Sequence, residues 1–236
     1  MSFKFRSMLT SASMLFTLAM AAPLAHAADA IQMGAVLSLT GANATVGEDV
    51  RRAVKLAEEK VNADGGVLGK PFQVIVEDSG GNPTTAINAA RKLVSVDKVP
   101  VVIGEYSSGI SIPMGQYLVK EGVVHINIAS TSVKIRDLGA SSFNLIGLED
   151  KGNKFSSQDA WDLGFRNVAI IAPNNAYGQG VAHGFRAEFE KLGGKIVNET
   201  LYTAGQSTYR RELQQIAKAK PCLLYTSDAA DEEDSG

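Results

Sequence analysis

A chain of 236 residues with 45% hydrophobic and 20% charged side chains has the composition of one or two globular α/β domains, which excludes disorder as its default state. The formal net charge of −2 comes without any basic cluster, and that argues against nucleic acid and anionic membrane surfaces as partners. A single cysteine, Cys222, excludes a disulfide framework, and the three histidines show neither HExxH nor CxxC spacing, so no metal site is expected.

The first 27 residues read as a secretory signal peptide. Lys4 and Arg6 precede the apolar run MLTSASMLFTLAMAA, residues 8–22, and Ala25 and Ala27 fit a small-residue cleavage site. The run falls short of the ~20 residues that span a bilayer, and no cysteine follows it to carry a lipid. Export is therefore expected, and removal of two basic residues leaves the remainder more acidic.

From Ile31 onward short apolar runs alternate with helical periodicity, as in β-α units that build a parallel sheet. IQMGAVLS (31–38) is the first strand. The turn LTGANATVG follows, then a helix whose apolar positions Val46, Val50, Ala53, Val54, Ala57 and Val61 keep the 3.6-residue period and which stops at NADGG. PFQVIVED (71–78) is a strand, and NPTTAINAARKLVSVD (82–97) is a helix with Asn82 as cap and Pro83 in its first turn. VPVVIG, a helix over 109–120 and the strand VVHINI (123–128) complete a first unit. After a less regular segment near 136–154 the pattern restarts: helix 155–164, strand NVAIIAP, helix GQGVAHGFRAEFEKLGG, strand KIVNETLY, and helix STYRRELQQIAKAK capped by Ser207. The expected division is a signal over 1–27, a first lobe over 28–145, a partial second lobe over 146–220 and a tail over 221–236, with a ligand cleft between the lobes.

The tail carries five acids in its last nine residues and continues no sheet-covering pattern, and only two strands remain for the second lobe. Residues 222–236 are expected to be foreign to the protein's own continuation, because they look like adapter read-through at the end of a gene fragment.

Ligands of open parallel sheets sit beyond the carboxyl ends of the strands. Four such ends here carry small polar residues: LTGANATVG, GEYSSG, ASTS and NNAYGQG. In GEYSSG the strand hands over to a helix, and a helix N-terminus with unpaired amides and nearby hydroxyls suits an anion. The plainer alternative for Ser108 is a helix cap, and for Tyr177 a turn tyrosine packed on its own lobe.

The motifs SLTG…VG, NADGGVLGK, VED, IGEYSS, HINIAST and APNNAYGQG, in that order, resemble the periplasmic substrate-binding proteins of ABC importers, in the family that binds leucine, isoleucine, valine and related small carboxylates or amides. The resemblance runs from about Ile31 to about Lys220. It implies a two-lobed α/β fold of the type I periplasmic-binding kind, each lobe a parallel sheet flanked by helices, the second incomplete. It implies a monomer, without cofactor, that delivers an amino acid or analogue to a membrane permease with ATPase subunits. By the same resemblance Ser108 and Thr131 bind the ligand carboxylate, the Ala129 carbonyl takes its ammonium, and Tyr177 closes from the second lobe. Val46, at a position often aromatic in amino-acid binders, and Tyr106 are the candidates to touch the ligand side chain.

Two other functions compete. A dinucleotide enzyme could use Glu77 or Asp78 on a ribose, but the first turn is not GxGxxG and the GxGxxxG at Gly178, Gly180 and Gly184 lies several residues past its strand. The elbow GxSxG and the phosphate loop are also missing, so an enzyme is not expected. A receptor's extracellular sensor domain would share the fold and would continue into a membrane span.

Overall fold

A computed structural model describes residues 30–227; the expected signal peptide and most of the acidic tail lie outside them. The chain forms two parallel sheets. The first has five strands, β1 (Ile31–Leu37), β2 (Phe72–Asp78), β3 (Val101–Gly104), β4 (Val124–Asn127) and β5 (Ser142–Asn144), in the order β2-β1-β3-β4-β5. The second has three, β6 (Asn167–Pro173), β7 (Lys195–Tyr202) and β8 (Leu223–Thr226), in the order β7-β6-β8. Each order reverses once, at β1/β3 in the first sheet and at β6/β8 in the second. Those reversals open the crevices where parallel sheets accept ligands.

Six α-helices connect the strands: α1 (Ala44–Ala63), α2 (Pro83–Ser95), α3 (Ser108–Lys120), α4 (Glu149–Asp162), α5 (Ala176–Lys191) and α6 (Arg210–Lys218). Their ends follow local chemistry. Asn82 caps α2 by accepting from the Thr84 and Thr85 amides at 2.9 and 3.2 Å, with Pro83 at the first position. Asn175 caps α5 by accepting from the Gly178 amide at 2.9 Å. Ser207 does not cap α6, which begins after Tyr209 without a side-chain cap.

Strand alternation builds the cores. In the first lobe Val36 and Val102 pack against Ala86, Ala90 and Leu93 of α2 and Ile110, Met114 and Leu118 of α3. In the second, Val168, Ile170 and Ala172 of β6 face Ala182, Phe185 and Phe189 of α5, while Ala169 and Ile171 face Ile216 of α6.

The structure differs from the sequence expectation in four places. A 3-10 segment, Val133–Leu138, and the edge strand β5 occupy the region read as irregular. Helix α4 begins six residues before the expected start at Phe155. The second lobe has a third strand where a tail was expected: Leu223–Thr226 pairs in parallel with Val168–Ile171, and Tyr225 stacks on Phe185 with ring centroids 3.9 Å apart. Leu223 and Tyr225 turn inward and Leu224 and Thr226 outward, the two-residue period of a strand.

Candidate functional site

The carboxyl ends of the first sheet converge on one buried carboxylate. The residues that follow β1, β2 and β3 are Ser38, Ser79 and Glu105; Leu37 pairs with Asp78, which sets Ser38 level with Ser79, while Val36 pairs with Gly104, which sets Glu105 one residue back, beside Leu37. Glu105 is wholly buried. Its Oε1 accepts from the hydroxyls of Ser38 and, at 2.7 Å, of Ser79; its Oε2 accepts from the Ser107 amide at 2.9 Å. The fourth strand end joins through Ser130, whose hydroxyl donates to the Glu105 and Tyr106 carbonyls at 3.0 and 3.2 Å. Sequence reasoning missed Glu105. Its signal was available: a lone acid directly after a buried strand, with serines after the two neighbouring strands.

Beside this hub Asp78 organises the turn after β1. Its Oδ1 accepts from the amides of Leu39, Thr40 and Gly80, and its Oδ2 from the Thr40 hydroxyl. Partial burial pushes the carboxyl up, but the Thr40 hydroxyl and the three amides outweigh it and hold it below its ordinary value. The aspartate offered above to a ribose is thus occupied by its own turn.

The two hydroxyls predicted to take a carboxylate come from neighbouring loops. Helix α3 begins at Ser108, and Ser107 is the residue before it; neither makes a side-chain cap, so the capping alternative for Ser108 fails. Instead Ser108 Oγ, almost fully buried, accepts from the Ser132 amide at 3.3 Å. An oxygen that accepts there keeps its proton to donate elsewhere. Thr131 Oγ1 is buried and has no hydrogen-bond partner among the described residues. The loop between is rigid: Asn127 accepts from the Ser130 amide at 2.9 Å and donates to the Ser130 carbonyl at 2.7 Å, bracketing Ala129.

Across the crevice the second lobe presents α5. A Cβ on Gly109, in the first turn of α3, would stand 4.0 Å from the Asn175 Cβ that caps α5, so two helix N-termini approach each other. Tyr177 lines a cavity of about 370 Å³ together with Thr131, Glu149, Val181 and Tyr225. Its hydroxyl donates to the Ser227 carbonyl of its own lobe, as the plainer alternative supposed, while the residue shares the cavity with Thr131. The other predicted contacts, Ser108, Ala129, Val46, half-buried in the first turn of α1, and Tyr106, 37% exposed, do not line that cavity.

The glycines of GxGxxxG have a packing role. A Cβ at Gly178 would meet the Pro173 carbonyl at 2.0 Å, one at Gly180 the Glu149 carboxylate at 2.2 Å, and one at Gly184 the Asn153 amide at 2.0 Å. They let α5 lie against α4 and the end of β6, a close approach that needs no phosphate to explain it.

No group of three or more metal-ligating side chains clusters among the described residues, and none of their helices is long and apolar enough to cross a membrane.

Comparison with known proteins gives the arrangement its family. An amino acid binding protein of Pseudomonas aeruginosa is 30% identical over 205 residues, which are 85% of this chain and 54% of that protein. A leucine binding protein, LivK, of Thermotoga maritima superposes with a TM-score of 0.78 at 21% identity, over 83% of this chain and 55% of that one. An ABC-transporter solute binding protein of R. palustris, in complex with 4-hydroxybenzoate, superposes with a TM-score of 0.77 at 18% identity, over 84% and 54%. The chain thus spans about half the length of the relatives it matches. The periplasmic binding protein profile matches residues 30–232, and with most of its length inside that match, this chain belongs to the periplasmic binding protein family.

Proposed function

We propose that the chain is the solute-binding part of an ABC importer and that its ligand is a small carboxylate, an amino acid or a compact organic acid, held between the two lobes. The observation that supports this reading is the buried Thr131 hydroxyl, without a hydrogen-bond partner among the described residues, next to Ser132, whose amide donates to Ser108 Oγ at the start of α3. The second N-terminus, that of α5, adds to the same positive field. A carboxylate would take both hydroxyl protons, with Tyr177 meeting it from the second lobe and the Ala129 carbonyl available to a ligand donor. Family membership places the protein outside the cytoplasm; a cleaved signal over 1–27, the partner permease and ATPase subunits, and a monomeric state belong to the proposal. Binding, not catalysis, is the role of this family.

The relatives' ligands suggest the probes. L-Leucine, 4-hydroxybenzoate and their uncharged amide or alcohol analogues are titrated in a thermal-shift assay. A ligand at a hundred times its Kd adds about 2.7 kcal/mol of stability, and only compounds with a free carboxylate are expected to do so. Hydrogen bonds to a charged group contribute about 1.5–3 kcal/mol each, so Ser108→Ala and Thr131→Val each weaken binding by roughly ten- to a hundredfold. Equal binding by both variants and the parent would remove these residues from the site.

A further inference from the structure

We infer that Glu149 is a positioning residue that clamps the ligand loop of the first lobe, Thr131 to Val133, onto the second lobe. The inference rests on the carboxylate-binding reading of Ser108 and Thr131. Glu149 is the first residue of α4 and is only 7% exposed. Its amide donates to the Thr131 carbonyl at 2.7 Å, and its Oε1 accepts from the Val133 amide at 3.2 Å. Between those two contacts the Ser132 amide donates to Ser108 Oγ. Three consecutive residues are therefore held by Glu149 on one side and by the start of α3 on the other. The carboxylate also lies on Gly180 of α5, where a Cβ would overlap it. One side chain thus touches the loop that offers Thr131 Oγ1 and the helix that carries Tyr177.

A carboxylate is a costly choice for this place. Its Oε2 is buried and makes no well-formed hydrogen bond among the described residues, the Ser132 hydroxyl acting on the carboxyl only weakly, and a buried polar atom so poorly paired opposes folding. Burial pushes the Glu149 carboxyl above its ordinary value; Asp150 adds to this, and the Val133 amide, Lys134 and the Ser132 hydroxyl oppose it. From α5, His183 and Glu188 line the adjoining cavity, and Asp150 is itself paired with Arg136. A carboxyl raised in the folded state favours folding below its unfolded value of about 4.5 and loses that contribution as pH rises through the folded value. Above that window the raised value counts against stability. With both its amide and its carboxylate on the ligand loop, Glu149 is placed to hold that loop's geometry.

The test compares Glu149→Gln with Glu149→Ala in the full chain. Glutamine keeps an acceptor for the Val133 amide and removes the charge. By hydrogen exchange at neutral pH, Ala is expected to lower protection of the Ser132 and Val133 amides roughly tenfold, the loss of one hydrogen bond, while Gln retains it. Protection at Ser130, held by Asn127, stays unchanged in both. Gln should also melt higher than the parent at pH 7, with the two curves converging below about pH 4.5. Undiminished protection in the Ala variant would overturn the clamp, and so would a Gln variant that loses protection as Ala does. L-Leucine and 4-hydroxybenzoate titrations on both variants and on Ser108→Ala separate the two readings. Weakened binding in Ser108→Ala with parent-like binding in Glu149→Ala overturns the coupling alone. Parent-like binding in Ser108→Ala overturns the site, and the amide protection still decides the clamp.

Discussion

The residues that hold this site differ from those that would touch a ligand, and the sequence reveals the two kinds unequally. Ser108, Ala129, Thr131 and Tyr177, the proposed contacts, are legible in the sequence because they stand in recognisable motifs in the loops and helix starts that follow strands. Glu105 and Glu149 are not, because a single acid in a loop or at a helix start is ordinarily solvated. Only the convergence of the ends of β1, β2 and β3, which brings the Ser38 and Ser79 hydroxyls onto the Glu105 carboxylate, shows that this acid is inside. The hub has a measurable consequence. In Glu105→Ala the Ser38 and Ser79 hydroxyls can turn to other acceptors, but the part-buried Ser107 amide cannot turn, and a stranded donor costs about 1–3 kcal/mol where water does not reach it. Urea unfolding should show at least that loss, with Glu105→Gln milder because its amide oxygen still reaches Ser107. An Ala variant as stable as the parent would mean that the strand ends are held without the carboxylate.

Among the elements, the long periodic ones are legible and the short or flanked ones are not. Strand β5 has three residues at a sheet edge and no apolar run to announce it. The first turn of α4, EDKG, has no apolar residue to set a phase and no side-chain cap, so periodicity begins only where the helix meets its neighbours. Strand β8 was masked by the acids that follow it, although Leu223 and Tyr225 alternate correctly with Leu224 and Thr226. Strand β4 shows how one element is tied to both neighbours. His125 Nε2 lies 3.2 Å from the Gly104 carbonyl at the end of β3, so it must donate there, and Nδ1 then accepts from the Ser142 hydroxyl of β5 at 2.9 Å. The ring is wholly buried, and Gly115 of α3 leaves it the space that a Cβ would fill. Burial lowers the His125 pKa, and the bond to the Gly104 carbonyl only partly opposes this. The unfolded chain then binds the extra proton first, so His125 favours folding above about 6.5 and loses that contribution as pH falls through the lower folded value. Thermal melts from pH 7 to pH 5 should carry this loss, set against the opposite contribution of Glu149, so it is read as the difference between the parent and a His125 variant. His125→Gln keeps a donor for Gly104 and has no proton to gain, so it should start lower at pH 7 and show a shallower fall. An unchanged slope would assign the acid sensitivity elsewhere, with Asp78 acting only below its ordinary value of 3.8.

For the whole molecule the two lobes meet by small areas around the crevice: the start of α3 near the start of α5, and the Glu149 clamp beside them. Two helix N-termini carry positive partial charge and repel when nothing lies between them, whereas an anion there is attracted by both. On the proposed carboxylate-binding reading, ligand and closure are linked, since a conformation in which both lobes reach the ligand binds it more tightly. The magnitudes bound the switch. Moving a population from 1:99 to 99:1 needs a preference of about 5.5 kcal/mol. First-lobe contacts act in both states, so the preference comes from the second lobe. There one hydrogen bond at about 1.5–3 kcal/mol and one helix end at about 0.3–1 kcal/mol give a partial shift rather than a full one. Small-angle scattering should accordingly show a smaller radius of gyration when a stabilising carboxylate from the ligand panel is added. Tyr177 lines the cavity on the second-lobe side, so Tyr177→Ala should reduce the compaction and weaken binding together, leaving the ligand-free dimension unchanged. A radius that ignores ligand in the parent would mean the crevice is preformed. The Tyr177 hydroxyl would then serve only its bond to Ser227 within its own lobe.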